Sequence, residues 1–139
     1  IALAARQEAL KFATTYAPNS IVGTISELPN VRRLIGEIEM KLYQARQILF
    51  TTAQKWDNEP ESRDQMTAQL QVAKYIVTNT AIEIADSAMR IVGARSLSAK
   101  NPLQRYYRDV RAGLHNPPMD DVVLALLAEQ AIQSVANKE

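Results

Sequence analysis

The sequence predicts an all-α protein, folded as an antiparallel up-and-down four-helix bundle. Apolar residues recur at helical spacing in four separate stretches of the 139-residue chain, and we find no strand-like alternation. The composition agrees, since glycine occurs only four times and 47% of the residues are hydrophobic, enough for a buried core. Short connections between the four stretches favour antiparallel neighbours.

The first two helices are predicted over residues 1–16 and from Pro29 to about Trp56, with a loop over residues 19–28 between them. Pro18 ends the first helix, and Pro29 suits the first turn of the second. The first helix is expected to face inward through Ile1, Leu3, Ala9, Leu10 and Ala13. The second has the most regular apolar stripe, formed by Val31, Leu34, Ile35, Ile38, Leu42, Ala45, Leu49 and Ala53.

A third helix is predicted from near Ser62 to a cap at Gly93, with a face rich in small residues that should admit a close neighbouring helix. A connector over residues 96–118 follows, with a short helix at 102–112. The last helix runs from about Met119 to Ala136 and carries two acids in its first turn, where they oppose the positive end of the helix dipole.

Residues 1–139 are predicted to form a single domain. The chain opens inside a helical pattern without a cap, so we expect it to be a fragment of a larger protein. Cysteine is absent, which fits a reducing compartment, and the cytoplasm is expected. No apolar run approaches the roughly 20 residues that span a bilayer, so no membrane partner is expected.

Positive charge is concentrated between Arg90 and Arg111, although the whole chain carries only +1. This segment has six basic side chains and one acid, Asp109, and such an excess favours an anionic partner such as phosphate. We interpret Arg105, Arg108 and Asp109 as an ion-pair network that holds the connector to the bundle. Nucleic acid is not expected, because the overall charge is small and the cations lie on a connector.

A metal site is also not expected. With His115 as its only histidine, the chain lacks the paired Glu-x-x-His motifs of di-iron bundles and cannot form a histidine-rich zinc site.

Residues 70–132 resemble the C-terminal helical domain of the acyl-CoA dehydrogenase superfamily. The resemblance is carried by Gly93-Ala94-Arg95-Ser96, then Pro102, Arg105 and Arg108-Asp109 at the spacing of that family. It implies FAD as the cofactor of the parent protein, an acyl-CoA or other small-molecule substrate, and self-association through the helical bundle as a dimer or tetramer. It also implies that Arg90, Gly93, Ala94, Arg95 and Ser96 contact the flavin, in part across a subunit interface.

The chain departs from the dehydrogenase pattern at two places. Asn116-Pro117-Pro118-Met119 stands where the family has its catalytic glutamate, and Tyr16 stands near the place of an arginine that meets flavin phosphate. The series Pro102-Leu103-Gln104-Arg105-Tyr106-Tyr107-Arg108-Asp109, followed by His115, is nearer a divergent branch that includes flavin-dependent monooxygenases. In that branch a histidine at the place of His115 can act as acid or base, so His115 is the catalytic candidate.

Three functions stay open from the sequence. The chain is read first as the C-terminal domain of an FAD-dependent acyl-CoA dehydrogenase-like oxidoreductase, in which Glu83 or Asp86 is an alternative base to His115. It is read second as the same domain of a flavin-dependent monooxygenase. The third reading is a non-catalytic helical interaction module that has kept the bundle and lost the chemistry.

Overall fold

A computed structural model describes residues 1–136 of the chain, and within them all regular structure is helical. The helices are α1 (Ala2–Thr15), α2 (Pro29–Asn58), α3 (Thr67–Val92), α4 (Leu103–Asp109), α5 (Ala112–His115) and α6 (Asp120–Ala136). Three short 3₁₀ helices lie between them at Ile25–Glu27, Pro60–Gln65 and Gly93–Leu97. The predicted all-α class is therefore confirmed, with four long helices close to their expected places.

Helix α3 is the shared packing partner of the fold, since α1, α2, α4, α5 and α6 all contact it. The Lys41–Glu83 ion pair, together with the cavity that Leu49 and Val77 both line, shows that α2 and α3 run antiparallel. Helix α6 packs chiefly on α3 and fully buries only Val123. The α1–α2–α3 unit is thus a compact layer, with α6 attached to one side of α3.

Helix α1 packs through alanines rather than through its large residues. Ala5, Ala9 and Ala13 are at most 1% exposed, whereas Ile1 and Leu3 are more than half exposed. The prediction that Ile1 and Leu3 face inward is therefore wrong, because alanines at every fourth position let the backbone of α1 approach the core closely. The expected close neighbour of the small-residue face of α3 is this helix.

The start of α3 is also displaced from its predicted place, from Ser62 to Thr67. Residues Pro60–Gln65 form a 3₁₀ helix instead. The guanidinium of Arg63 lies 5.0 Å from the ring centre of Trp56, and its Nε donates to the Trp56 carbonyl at 2.9 Å. These contacts fold the segment back onto the end of α2, and α3 begins after the buried Met66.

No helix within residues 1–136 combines the length and the apolar character needed to cross a membrane.

A polar clasp holds α6 against α3. It consists of Lys74 and Asn79 of α3 and Asp120 of α6. Asn79 Nδ2 donates to Asp120 Oδ2 at 2.8 Å and to the Tyr75 carbonyl at 2.9 Å. The Lys74 ammonium lies 3.7 Å from Asp120 Oδ1, and both of these atoms are shielded from solvent. Because α6 buries little apolar surface, this clasp has a large share in holding it.

We predict that Asp120→Ala lowers the free energy of unfolding by about 1–3 kcal/mol, because it removes the carboxylate beside the shielded Lys74 ammonium and one of the two hydrogen bonds that the Asn79 amide donates. Asp121→Ala is the matched control, since Asp121 lies in the same helical turn but is exposed. It should cost less than about 1 kcal/mol, the size of a helix-dipole contact. Urea unfolding of both variants measures the difference, and equal losses would contradict the clasp.

Candidate functional site

The break after α3 is built around Gly93 and Ser96. Gly93 has φ 68° and ψ −153°, a backbone conformation that is essentially restricted to glycine. Ser96 is 2% exposed, and its hydroxyl donates to the Gly93 carbonyl at 2.7 Å. No atom lies within 4 Å of the position where a Cβ of Gly93 would stand, so this backbone is open to close approach from outside.

A solvent-open groove of about 360 Å³ runs beside this break. It brings together the end of α3, the 3₁₀ helix and α4. Its lining residues are Asp86, Met89, Arg90, Gly93, Ala94, Ser96, Leu97 and Tyr107. Four of the five predicted flavin contacts therefore meet in one groove, Arg95 being the exception.

An ion pair controls the charge of the groove. Arg90 Nε donates to Asp86 Oδ2 at 2.7 Å, one helical turn away. This hydrogen bond, and then the charge of Asp86, raise the pKa of Arg90, so its guanidinium stays charged. Both side chains are more than 40% exposed, so the attraction is screened by water and an incoming anion can compete for Arg90.

Arg95 is directed to a different place, against the end of α1. Its guanidinium lies 4.4 Å from the ring centre of Tyr16 and 5.9 Å from that of Phe12, and these two rings are stacked 4.8 Å apart. A second, shallow cavity of about 320 Å³ lies there, lined by Glu8, Arg95, Ser98, Lys100, Asn101 and Pro102. The aromatic pair at i and i+4 in α1 was the sequence signal for this contact, and sequence reasoning missed it.

Arg105, Arg108 and Asp109 are exposed, and within residues 1–136 none of them forms an ion pair. Arg105 lies 5.8 Å from the ring centre of Tyr106. The neighbouring Arg111 covers the ring of Tyr107 at 3.6 Å and donates to its carbonyl. In the described chain these two cations of the connector therefore lie on rings of the same segment, and an ion-pair role for Arg105, Arg108 and Asp109 stays a prediction that requires other partners.

His115 is the last residue of α5 and is exposed. It lines none of the cavities described in this section. The helix that carries it is fixed close to α3, since a Cβ at Gly113 would lie 2.9 Å from Thr78 Cγ2. The backbone of this segment is thus well placed, but a catalytic role for its histidine stays a prediction.

The two alternative bases lie on the outer side of α3 and are engaged by cations. Glu83 pairs with Lys41 at 2.7 Å, and Asp86 pairs with Arg90. Glu83 lines none of the cavities described here, whereas Asp86 lies in the groove beside the break. Within residues 1–136 no three His, Cys, Asp or Glu side chains come together where they could hold a metal ion.

Sequence reasoning missed an apolar cleft of about 540 Å³ between α1, α2, α3 and the α4–α5 turn. Asp109 and Arg46 lie at this cleft, and Leu49 and Val77 join it to a neighbouring cavity of about 350 Å³. The lining residues are far apart in the chain, so no local pattern could have revealed the cleft.

We predict that Gly93→Ala destabilises the protein by about 1–3 kcal/mol through backbone strain alone, since space for the methyl group is open. Gly36→Ala is the matched control, because Gly36 also has open space but lies within α2. It should stabilise the protein by about 0.5–1 kcal/mol. Thermal or urea unfolding measures both, and a neutral Gly93→Ala would refute the strain argument.

Comparison with known proteins gives consistent matches along the chain. The family model "Acyl-CoA dehydrogenase, C-terminal domain" matches residues 1–114. YdbM of Bacillus subtilis (strain 168), named as a candidate acyl-CoA dehydrogenase, is 54% identical over 134 residues, which cover 96% of this chain and 35% of YdbM. Dibenzothiophene monooxygenase of Rhodococcus erythropolis is 28% identical over 123 residues, which cover 82% of this chain and 29% of that enzyme.

The fold of the chain also matches that of solved structures. The crystal structure of an acyl-CoA dehydrogenase from Slackia heliotrinireducens DSM 20476 superposes with a TM-score of 0.82 at 24% identity, covering 98% of this chain and 34% of that one. The chain thus spans about a third of the length of the proteins it matches. The family model alone accounts for most of its residues, and the chain belongs to the acyl-CoA dehydrogenase family, as its C-terminal helical domain.

Proposed function

We propose that this chain is the C-terminal domain of a larger FAD-dependent oxidoreductase that acts on CH–CH bonds of acyl-CoA substrates. The observation that carries the proposal is the 54% identity to YdbM over nearly the whole chain. In such an enzyme the domain forms one wall of the flavin and substrate pocket. Bound FAD supplies the acceptor for two electrons, and this chain supplies charge, shape and contact surface around it.

The groove beside the break has the features that a diphosphate requires. Arg90 offers a guanidinium that can form paired hydrogen bonds to phosphate oxygens. Gly93 leaves its backbone accessible, with no neighbouring atom in the way. A volume of about 360 Å³ accommodates only part of a dinucleotide, which agrees with other domains or a neighbouring subunit supplying the rest. The hydrogen bond to Asp86 uses only the Nε of Arg90, so the terminal N–H groups of the guanidinium remain for phosphate.

Arg95 contributes in a different way from Arg90. By the resemblance described above, the family has a phosphate-binding arginine at the end of the first helix, where this chain has Tyr16. The guanidinium of Arg95 lies on the ring of Tyr16 and so provides positive charge at that end of α1. We propose that Arg95 replaces the missing arginine from a different position in the sequence.

A flavin-dependent monooxygenase is the second candidate. It is favoured by the 28% identity to dibenzothiophene monooxygenase and by His115 next to the place of the absent glutamate. The higher identity to YdbM favours the dehydrogenase. We also propose that the protein self-associates as a dimer or tetramer and works in the cytoplasm, where a protein without cysteine needs no oxidising environment.

The first test is the visible absorption spectrum of the full-length protein that contains this chain, before and after anaerobic addition of an acyl-CoA panel. We expect a flavin spectrum that bleaches with at least one acyl-CoA. A flavin that stays oxidised throughout favours the monooxygenase, and a protein without flavin favours a helical interaction module. His115→Ala should slow bleaching at least about 100-fold if His115 moves the proton, and an unchanged rate would exclude it.

We predict opposite effects of two substitutions in the groove on the affinity for FAD. Arg90→Gln should weaken binding at least about 10-fold, because it removes a charge-assisted contact to phosphate. Asp86→Asn should tighten binding several-fold, because it frees Arg90 and removes a repelling carboxylate. Titration of the flavin-free full-length protein with FAD, followed by flavin fluorescence, measures both.

Arg63→Gln is the control for lost charge, since Arg63 lies on Trp56 at the other end of α3. It should leave the affinity unchanged. Weakening by Asp86→Asn would show that the ion pair holds the groove in shape, and would contradict a direct phosphate contact by Arg90.

A further inference from the structure

The α5–α6 segment, residues 114–119, contains no fully buried side chain. Four of its six side chains are exposed, and the other two, Leu114 and Pro118, are half-buried. The segment nevertheless carries His115, the candidate acid or base, and a group that transfers a proton must lie within hydrogen-bond reach of its substrate. Because the core does not fix the segment, its position must come from the residues at its two ends.

The first end of the segment is set by Gly113 of α5 and Thr78 of α3. A Cβ at Gly113 would stand 2.9 Å from Thr78 Cγ2 and 3.2 Å from Thr78 Cβ. The hydroxyl of Thr78 donates to the Lys74 carbonyl at 2.9 Å, which fixes the rotamer of this β-branched side chain. The methyl group of Thr78 is therefore a fixed stop, against which α5 can lie only because residue 113 is glycine.

The second end of the segment is set by the polar clasp, since Asp120 is the first residue of α6. Asn79 and Lys74 lie at its two carboxylate oxygens, at 2.8 Å and 3.7 Å. Lys74 and Thr78 are one turn apart, about 6 Å along α3, whereas the seven residues from Gly113 to Asp120 can span roughly 24 Å. The segment is therefore held as a closed loop, with both of its ends on adjacent turns of one helix.

We propose that Thr78 at one end, and Lys74 with Asn79 at the other, are positioning residues that place the α5–α6 segment against bound substrate. They act through the backbone of the segment rather than by contact with the reacting atoms. This inference rests on the oxidoreductase function proposed above and names the residues that hold its acid or base in place. A displacement of about 1 Å in a reacting group can cost roughly 100-fold in rate, so the fit between Gly113 and Thr78 is large enough to matter.

The first experiment combines substitutions at Gly113 and Thr78 in the full-length protein, and measures the limiting rate of flavin bleaching at saturating acyl-CoA. Gly113→Ala should slow bleaching at least about 10-fold, because the added methyl group pushes α5 away from α3. Thr78→Ser should cost less, since serine keeps the hydroxyl and loses only the methyl group. The double variant should recover most of the rate that Gly113→Ala loses, because the space for its methyl group is restored.

Gly113 and Thr78 also line the apolar cleft, so the added methyl group narrows this cleft as well. The two effects are separated by the dependence on acyl-CoA concentration. A displaced segment lowers the limiting rate and leaves the half-saturating concentration unchanged, whereas a narrowed binding site raises the half-saturating concentration. We expect the first result.

The second experiment tests the clasp by hydrogen exchange with mass spectrometry, which requires no turnover. In the full-length protein, Lys74→Met should speed exchange at least about 10-fold in peptides from residues 112–123, because the segment loses one of its two attachments. It should also slow bleaching without changing the affinity for FAD. Arg6→Met is the matched control, since it removes a cation that pairs across α1 and α2 at 2.6 Å, and it should leave these peptides unchanged. Circular dichroism confirms the folding of each variant.

Three results would overturn the inference: a double variant as slow as Gly113→Ala, wild-type exchange in Lys74→Met, or exchange that rises equally throughout the protein, as a general loss of stability requires. If Lys74→Met does not fold, the pair of Gly113 and Thr78 variants decides alone. If no acyl-CoA bleaches the wild-type protein, the oxidoreductase proposal fails, and hydrogen exchange still shows whether the segment is held at both ends.

Discussion

The close approach of α1 to the core is the constraint on which the candidate site depends. Ala5, Ala9 and Ala13 form a face without protruding side chains, and it lies in one buried cluster with Ile84, Ala88 and Ile91 of α3. Small residues at a helix contact bring the backbones together. Because α1 lies so near α3, its aromatic end reaches Arg95, and the segment after Gly93 is fixed against two helices at once. A larger residue at Ala9 would separate these elements and disturb the break.

Helix α3 links the fold to every feature that bears on function. Its last turns carry Asp86, Arg90 and the glycine cap of the groove, and its middle carries the two residues that clasp α6. The ion pair between Lys41 and Glu83 joins it to the neighbouring helix α2. The groove and the clasp therefore share one support, although they lie at different places along it.

The sequence predicted the helices whose positions follow from apolar periodicity. It did not predict the segments whose structure depends on contacts with distant residues. The stripe of α2 as far as Ala45 and the cap at Gly93 follow from local rules and were found, whereas Leu49 and Ala53, predicted in the same stripe, are exposed. The 3₁₀ segment at residues 60–65 was missed, because Arg63 is held there by Trp56, a side chain of the preceding helix. Likewise, the resemblance implied that Arg90 and Arg95 both contact the flavin, but Arg95 lies on the Tyr16 ring at the end of α1 and not in the groove. The Arg63 contact leaves no periodic signal, and the aromatic pair of α1 does not reveal that Arg95 is its partner.

The sequence shows a cluster of positive charge between Arg90 and Arg111, but the structure distributes these cations over separate places. Arg95, Arg105 and Arg111 each lie on an aromatic ring, at three separate places. Among the lining residues of the groove, Arg90 is the one cation, and it already has a carboxylate partner. Net charge therefore cannot select a phosphate ligand here. Selection must come from geometry, in which a phosphate with two or more oxygens in reach binds the N–H groups that Arg90 does not donate to Asp86. Such an arrangement favours a diphosphate over a lone carboxylate, because a diphosphate has further oxygens to place near the open backbone of Gly93 after two of them have bound the guanidinium.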